Sequence, residues 1–312
     1  MSLKCSLDIK SEACNLGFFA CGIAKAEPVD GAVARSLKRW LAEGDNAGMA
    51  YMNNYTDKRL DPRLLVPGVK SIISVAMNYA PADHIPEGEY QLAAYAYGQD
   101  YHDIVKARLH MLAARCGFEN YRVFCDSAPV LERYWAEQAG LGWTGRNHQL
   151  IIPRAGSMFF LGELFVDIEL EYDQPVKNRC GHCRQCIDAC PTGALCADKP
   201  LDANKCLSYQ TIENRGDIPP EIVEKMGNTI YGCDRCLKAC PWNRFAKPTT
   251  EPLLKPKEEL LQMTRADWRN LSEEQYRQLF KGSAVKRAKY AGLKRNIEAV
   301  GKNEKTKDDE NK

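Results

Sequence analysis

The stretch CGHCRQCIDACP at residues 180–191 spaces Cys180, Cys183, Cys186 and Cys190 as C-x2-C-x2-C-x3-C, with Pro191 directly after. Two-residue spacers let one turning loop aim three thiolates at three irons of a cubane. The fourth cysteine then reaches the other cluster, the spacing of two-cluster bacterial ferredoxins. Farther on, YGCDRCLKACPWN (231–243) repeats the pattern without its first cysteine, as Cys233-x2-Cys236-x3-Cys240-Pro241. Spacing therefore fixes seven ligands where two four-iron clusters need eight. Cys196 and Cys206 are the candidates for the eighth. Cys196 follows too closely on Pro191 for the chain to turn back, which favours Cys206. The expected pairing is Cys180, Cys183, Cys186 and Cys240 on one cluster, with Cys190, Cys206, Cys233 and Cys236 on the other. Zinc is the alternative for isolated CxxC pairs, but these longer runs are not zinc spacing.

Nine of the fourteen cysteines lie between Cys180 and Cys240, whereas a small secreted disulfide scaffold spreads its cysteines throughout. The five upstream (Cys5, Cys14, Cys21, Cys116, Cys125) have no ligand spacing and read as buried small hydrophobes in a reducing cytosol. A chain of 312 residues can bury a large core, and its net charge of +2 gives no global attraction to nucleic acid. No apolar run reaches membrane-spanning length, and MSLKCSLDIK lacks the core of a secretory signal, so a cytoplasmic protein without a membrane partner is expected.

Upstream of the cysteines, SIISVAMNY (71–79) is short, β-branched and bounded by turn signals, as a buried strand is. YRVFCD (121–126), QLIIP (149–153) and FFLGELFVDIEL (159–170) are further expected strands. HDIVKARLHMLAARCG (102–117) is an amphipathic helix stopped by glycine, and SAPVLERYWAEQAG (127–140) is a helix with Pro129 in its first turn. Residues 1–172 thus form one layered α+β unit. Residues 173–246 form the ferredoxin-like two-cluster domain, 247–300 a helical C-terminal segment, and 301–312 a disordered, charged tail. A ferredoxin needs far less chain than this, so the N-terminal unit implies a further cofactor or a substrate site. It has no GxGxxG after a strand and no P-loop. GLGWTGRNHQLI (140–151) is glycine-rich but lies between helix and strand, a context that lets backbone approach a large flat ligand.

Several stretches together resemble epoxyqueuosine reductases: KRLDPRLLVPGVKSIISVAMNY (58–79), YAYGQDYHDIVKARL (95–109), DSAPVLERYWAEQAGLGWTGRNHQLI (126–151), CLSYQTIENRGDIP (206–219), both cysteine runs and SAVKRAKYAGLKRNI (283–297). The resemblance spans roughly residues 8–298 in order along the chain. It implies a nitroreductase-like cobalamin-binding domain, related to reductive dehalogenases, beside two [4Fe-4S] clusters. It implies reduction of epoxyqueuosine to queuosine at the wobble position of tRNA, the last step of queuosine biosynthesis, by cob(I)alamin fed from the clusters. A flavodoxin or ferredoxin as electron donor and a monomeric state are expected with it.

The resemblance places the proton donor at Asp126 and supporting residues at Asp100 and His102. It places cofactor contacts at Gly145, Arg146, Asn147, Ser208, Tyr209, Gln210 and Arg215. Read alone, Asp126 is a helix N-cap, a role open to Ser127 as well. A helix N-terminus lowers a carboxyl pKa and burial raises it, so a donor near neutral pH requires burial to win. Gln210, Arg146 and His148 depart from the family's usual residues. The basic segment KRAKYAGLKR (286–295) reads alone as a solvated helix face, and with the resemblance as a contact for tRNA phosphates. The competing functions are a cobalamin-dependent reductive dehalogenase and a non-enzymatic ferredoxin-type carrier.

Overall fold

The structure, a computed structural model, describes residues 6–310, and of residues 304–310 the backbone alone. Helix α1 (Ser6–Asn15) leads into strand β1 (Ala20–Lys25), and helix α2 (Gly31–Ala42) follows. Strand β2 (Ser71–Asn78), helix α3 (Tyr101–Cys116), strand β3 (Tyr121–Phe124), helix α4 (Glu132–Gln138) and strand β4 (Phe159–Val166) complete the N-terminal layer. The four strands lie in the order β1-β2-β4-β3, every neighbouring pair antiparallel. The architecture is mixed α/β, of the α+β kind.

Strand β2 is central and buried along almost its whole length, as its unbroken apolar run requires. Ile73, Val75 and Met77 face Ile9 of α1 and Leu109 and Leu112 of α3. Ile72 and Ala76 face Trp135 and Ala136 of α4 with Phe165. Close approach on each side depends on a missing side chain. A Cβ at Gly162 would lie 2.5 Å from Val105 of α3, and one at Gly22 would lie 2.0 Å from the Ala139 carbonyl after α4. Truncating a ring such as Trp135 to alanine costs about 3–5 kcal/mol.

The expected strands and α3 appear within a few residues of their predicted ends, and α3 closes on Gly117 at φ +68°. Residues 149–153 shrink to Leu150–Ile151, paired with Trp143–Thr144. The helix expected from residue 127 begins at Glu132, with Leu131 as its cap. Of the upstream cysteines, Cys116 and Cys125 are buried, Cys21 is intermediate and Cys14 is exposed; Cys5 lies outside the described residues.

One apolar core runs from α1 to the C-terminal segment, taking in Leu207, Ile230, Trp268, Leu293 and Val300. Helix α5 (Leu207–Ile212) and helix α6 (Lys289–Glu310) meet at fully buried Asn296, which donates to the carbonyls of Thr211 (2.9 Å) and Ile230 (2.8 Å). A short strand at Thr229–Tyr231 pairs in parallel with Gln91–Leu92, and the Ala94 amide donates to Asp234 at 2.6 Å. The tail expected to be disordered continues α6 through residue 310; a helix already nucleated extends at little cost through Lys- and Glu-rich sequence. Residues 311–312 lie outside the description. Among the described residues no helix is long and apolar enough to cross a membrane.

Candidate active site and cluster ligands

Asp126 follows β3 at φ +58°, a left-handed conformation that aspartate tolerates better than most residues. The Ser127 amide bonds the Cys125 carbonyl across it at 2.7 Å, a three-residue turn. The Asp126 amide donates to Glu132 Oε1. The N-cap expectation is thereby corrected: the loop runs on for five residues before α4, and the Asp126 carboxylate points elsewhere.

Its Oδ2 accepts from the Tyr101 hydroxyl at 2.5 Å and lies 3.5 Å from His102 Nε2. His102 Nδ1 is 2.6 Å from Asp100 Oδ1, and Asp100 caps α3 by accepting from the His102 amide at 3.1 Å. Asp100 is braced in turn, since its amide donates to Gly282 O at 2.6 Å. The chain order Asp-Tyr-His at a helix start thus delivers a cap, a phenol and an imidazole to one carboxylate.

Protein surrounds Asp126 densely, yet its side chain is 60% exposed, as on the floor of a cleft. Burial acts to raise its pKa, but the His102 and Tyr101 hydrogen bonds and the His102 and Arg133 charges outweigh it, and the carboxyl falls to about 2. Burial pulls His102 down, but the hydrogen bonds and charges of Asp100 and Asp126 push it up to about 9. At neutral pH, in this arrangement, the proton therefore sits on His102 and Asp126 is ionised.

Behind the loop lie two carboxyl groups that sequence reading missed. Glu163 of β4 is fully buried on the α4 face, opposite Ser74 in register. As a carboxylate it would leave both its oxygens without a donor. Burial, then the Glu132 charge and hydrogen bond, hold its pKa far up, so it stays protonated against Glu132. Burial and the Asp126 charge push Glu132 up to about 8. A glutamate in the run FFLGELFV was the available signal, since an ionisable residue inside a buried strand needs a reason.

The cysteines form two neighbourhoods. Cys186 and Cys240 feel the charges of Cys180 and Cys183, and Cys180 packs with Cys240. Cys236 feels Cys233, Cys206 and Cys190. Cys196 is exposed and turned to the Gly193 carbonyl.

The expected cofactor contacts divide. Asn147 is buried and its Nδ2 has no partner, while its Oδ1 holds the Gln149 amide at 3.2 Å. Tyr209 Oη accepts from the Gly48 amide at 2.9 Å and keeps its own proton to donate. Ser208 is half-buried. Arg146 reaches back to the Gly181 carbonyl at 3.0 Å, and a Cβ at Gly145 would meet Ile151, so Gly145 serves its own turn. Gln210 is turned inward, bonding Asn204 O at 2.6 Å and Asn214 at 2.7 Å. Arg215 clamps the Arg287 carbonyl at 2.9 Å. The polar groups of both are thus engaged within the protein.

The basic segment divides: Lys286 and Lys289 are exposed, as a solvated face requires, while the other three cations are engaged within the protein. Arg287 pairs with Glu213 at 2.7 Å, Arg295 binds the carbonyls of Asn214 and Gln210, and Lys294 donates to Arg269 O at 2.5 Å. Arg287 also lies 5.7 Å from the Tyr51 ring and feels Asp126, which sets it at the rim of the same cleft.

Residues 59–127 match the family model described as "Epoxyqueuosine reductase QueG, DUF1730", and residues 179–243 match "4Fe-4S double cluster binding domain". An epoxyqueuosine reductase of Cellulophaga algicola is 47% identical over 93% of this chain and 96% of its own length. The chain belongs to the epoxyqueuosine reductase family. The family's member in Escherichia coli K12 is 42% identical over 93% of this chain and 78% of its own. A crystal structure of epoxyqueuosine reductase with a tRNA-Tyr epoxyqueuosine-modified stem loop superposes with TM-score 0.87 at 27% identity, covering 94% of this chain and 80% of that one. A Bacillus subtilis epoxyqueuosine reductase, solved with its aspartate catalytic loop swung out of the active site, gives TM-score 0.84 over 94% of this chain and 80% of that one. Membership makes the chain an oxidoreductase, and the matched double-cluster domain makes it an iron–sulfur protein.

Proposed function

We propose that the chain reduces epoxyqueuosine to queuosine at the tRNA wobble position, with Asp126 as proton donor, two [4Fe-4S] clusters as electron source and cobalamin as a further cofactor. The observation that carries this reading is the Asp126 carboxylate, bonded to Tyr101 and His102 on the floor of a cleft. A family relative crystallised with the modified stem loop supports tRNA as the substrate carrier. The two cysteine neighbourhoods support ligation by Cys180, Cys183, Cys186 and Cys240 on one side and Cys190, Cys206, Cys233 and Cys236 on the other.

The candidate cofactor residues fit a cobalamin. An unpartnered buried amide at Asn147 and the hydroxyls of Ser208 and Tyr209 are neutral groups suited to a corrin's amide side chains, and Gly145 and Arg146 shape that turn. Bound there, cobalamin would supply a low-potential cobalt able to pass the cluster electrons to the epoxide.

Removing the epoxide oxygen as water takes two electrons and two protons and leaves a carbon–carbon double bond. Asp126 is ionised at rest, so the His102 imidazolium at 3.5 Å supplies the proton that the Asp126 carboxylate relays to the departing oxygen. Tyr101 fixes the carboxylate's direction, Asp100 fixes the imidazole, and Glu132 with Glu163 holds the loop through the Asp126 amide. A base in an anticodon loop is unpaired, so it reaches such a cleft without duplex opening. Expression in a bacterium lacking its own epoxyqueuosine reductase tests the reading. Restored queuosine in digested tRNA is expected; persistent epoxyqueuosine with soluble, iron-loaded protein contradicts it.

A further inference from the structure

Beside the Cys180–Cys240 neighbourhood lies a pocket of about 290 Å³, walled by Arg154, Arg179, Arg244, Pro241, Trp242 and Phe245. Arg179 immediately precedes Cys180, and Pro241 and Trp242 immediately follow Cys240. Trp242 meets Trp143 edge-on, ring centroids 4.9 Å apart, and Trp143 Nε1 donates to Cys180 Sγ at 3.4 Å. One pair of aromatic rings therefore links the pocket to the Cys180 sulfur.

The three arginines are exposed and, among the described residues, none pairs with a carboxylate; Arg244 lies 4.7 Å over Phe245. On the same loop Lys177 is exposed, and Arg184 alone has an acid nearby, Asp188 at 3.6 Å. Like charges gathered around one hollow repel, and a partner bearing carboxylates relieves that repulsion while being steered towards it.

The other cysteine neighbourhood faces the cleft instead. Cys206 begins α5, whose Tyr209 holds Gly48 near Tyr51, and Tyr51 feels Asp126. Electrons moving towards Asp126 thus start from the Cys180 side. The cations that a substrate RNA in the cleft would meet include Arg133 and Arg287, whose charges, like that of His102, couple to Asp126.

We infer that this pocket docks a small acidic one-electron carrier protein of flavodoxin or ferredoxin type. The inference rests on the reading that Cys180, Cys183, Cys186 and Cys240 hold one cluster. In each encounter the carrier's reduced cofactor loses one electron and that cluster gains it, with no bond made or broken, and two encounters serve each epoxide. Redox encounters of this kind use small interfaces, under about 1,200 Å², which a charged pocket and its rim can supply.

The test is the triple variant Arg154→Glu, Arg179→Glu, Arg244→Glu in iron-loaded protein. Calorimetry with an acidic flavodoxin should show binding weakened at least about tenfold at low salt, with the salt dependence flattened. Turnover driven by flavodoxin should fall in step, while turnover driven by dithionite stays within about twofold, because a small reductant needs no docking. Unchanged flavodoxin binding overturns the inference. So does an equal loss with dithionite, and so does weakened stem-loop RNA binding with flavodoxin binding intact. Failure of the cluster assignment itself shows separately, as a Cys180→Ser protein that keeps all its iron.

Discussion

His102 Nε2 stands 3.5 Å from Asp126 Oδ2. At that distance the two side chains titrate as one unit, and a proton counted on one belongs thermodynamically to both. The unit is protonated at neutral pH because His102 is pushed up to about 9. Turnover should therefore hold up to about pH 9 and decline above it. His102→Gln should lower turnover by about a hundredfold and abolish that alkaline limb, read from pH–rate profiles.

The same shift bears on stability. The folded His102 pKa of about 9 lies above the unfolded value of about 6.5, so its stabilisation is complete below pH 6.5 and is lost as pH rises through about 9. Urea midpoints at pH 6 and pH 9.5 should separate more for the wild type than for His102→Gln.

Tyr101 stacks on Phe160 with centroids 4.0 Å apart and donates to Asp126 at 2.5 Å. Tyr101→Phe keeps the stack and removes the bond, at about 1 kcal/mol. Because that bond lowers the Asp126 pKa, the carboxyl should titrate higher in the variant, as followed by isotope-edited infrared spectroscopy.

Glu163 and Glu132 share one buried site, and both are held up. Protonation stabilises the fold, so stability from this pair falls as pH rises through about 8 for Glu132. Glu163→Gln is isosteric with the protonated acid. It should fold with both clusters and lose less stability than the wild type between pH 7 and pH 9, measured by thermal melts.

Cys206 and Cys196 compete in sequence for one ligand position, but only Cys206 lies among Cys190, Cys233 and Cys236. Cys206→Ser should reduce iron from about eight to about four per chain, and Cys196→Ser should leave it unchanged.

Much of this was legible in the sequence. Spacing defined the cysteine runs, a β-branched run defined β2, an apolar and aromatic run defined β4, and Gly117 defined the end of α3. The start of α4 was not, because Ser127 and Pro129 imitate a helix start while the Asp126 turn holds the chain out of the helix. The internal bonds of Arg287, Lys294 and Arg295 were not legible, because linear charge does not show that Glu213 and a set of backbone carbonyls lie across from them. Tyr101 and the Glu132–Glu163 pair escaped notice because their roles arise only when β3, β4 and two helix starts converge.

The most direct test is nucleoside mass spectrometry on epoxyqueuosine-bearing tRNA, incubated anaerobically with iron-loaded protein and reductant, with and without cobalamin. The account predicts queuosine with cobalamin, none without it, and none from Asp126→Asn carrying the same cofactors. Queuosine formed without cobalamin, or at an undiminished rate by Asp126→Asn, would contradict it.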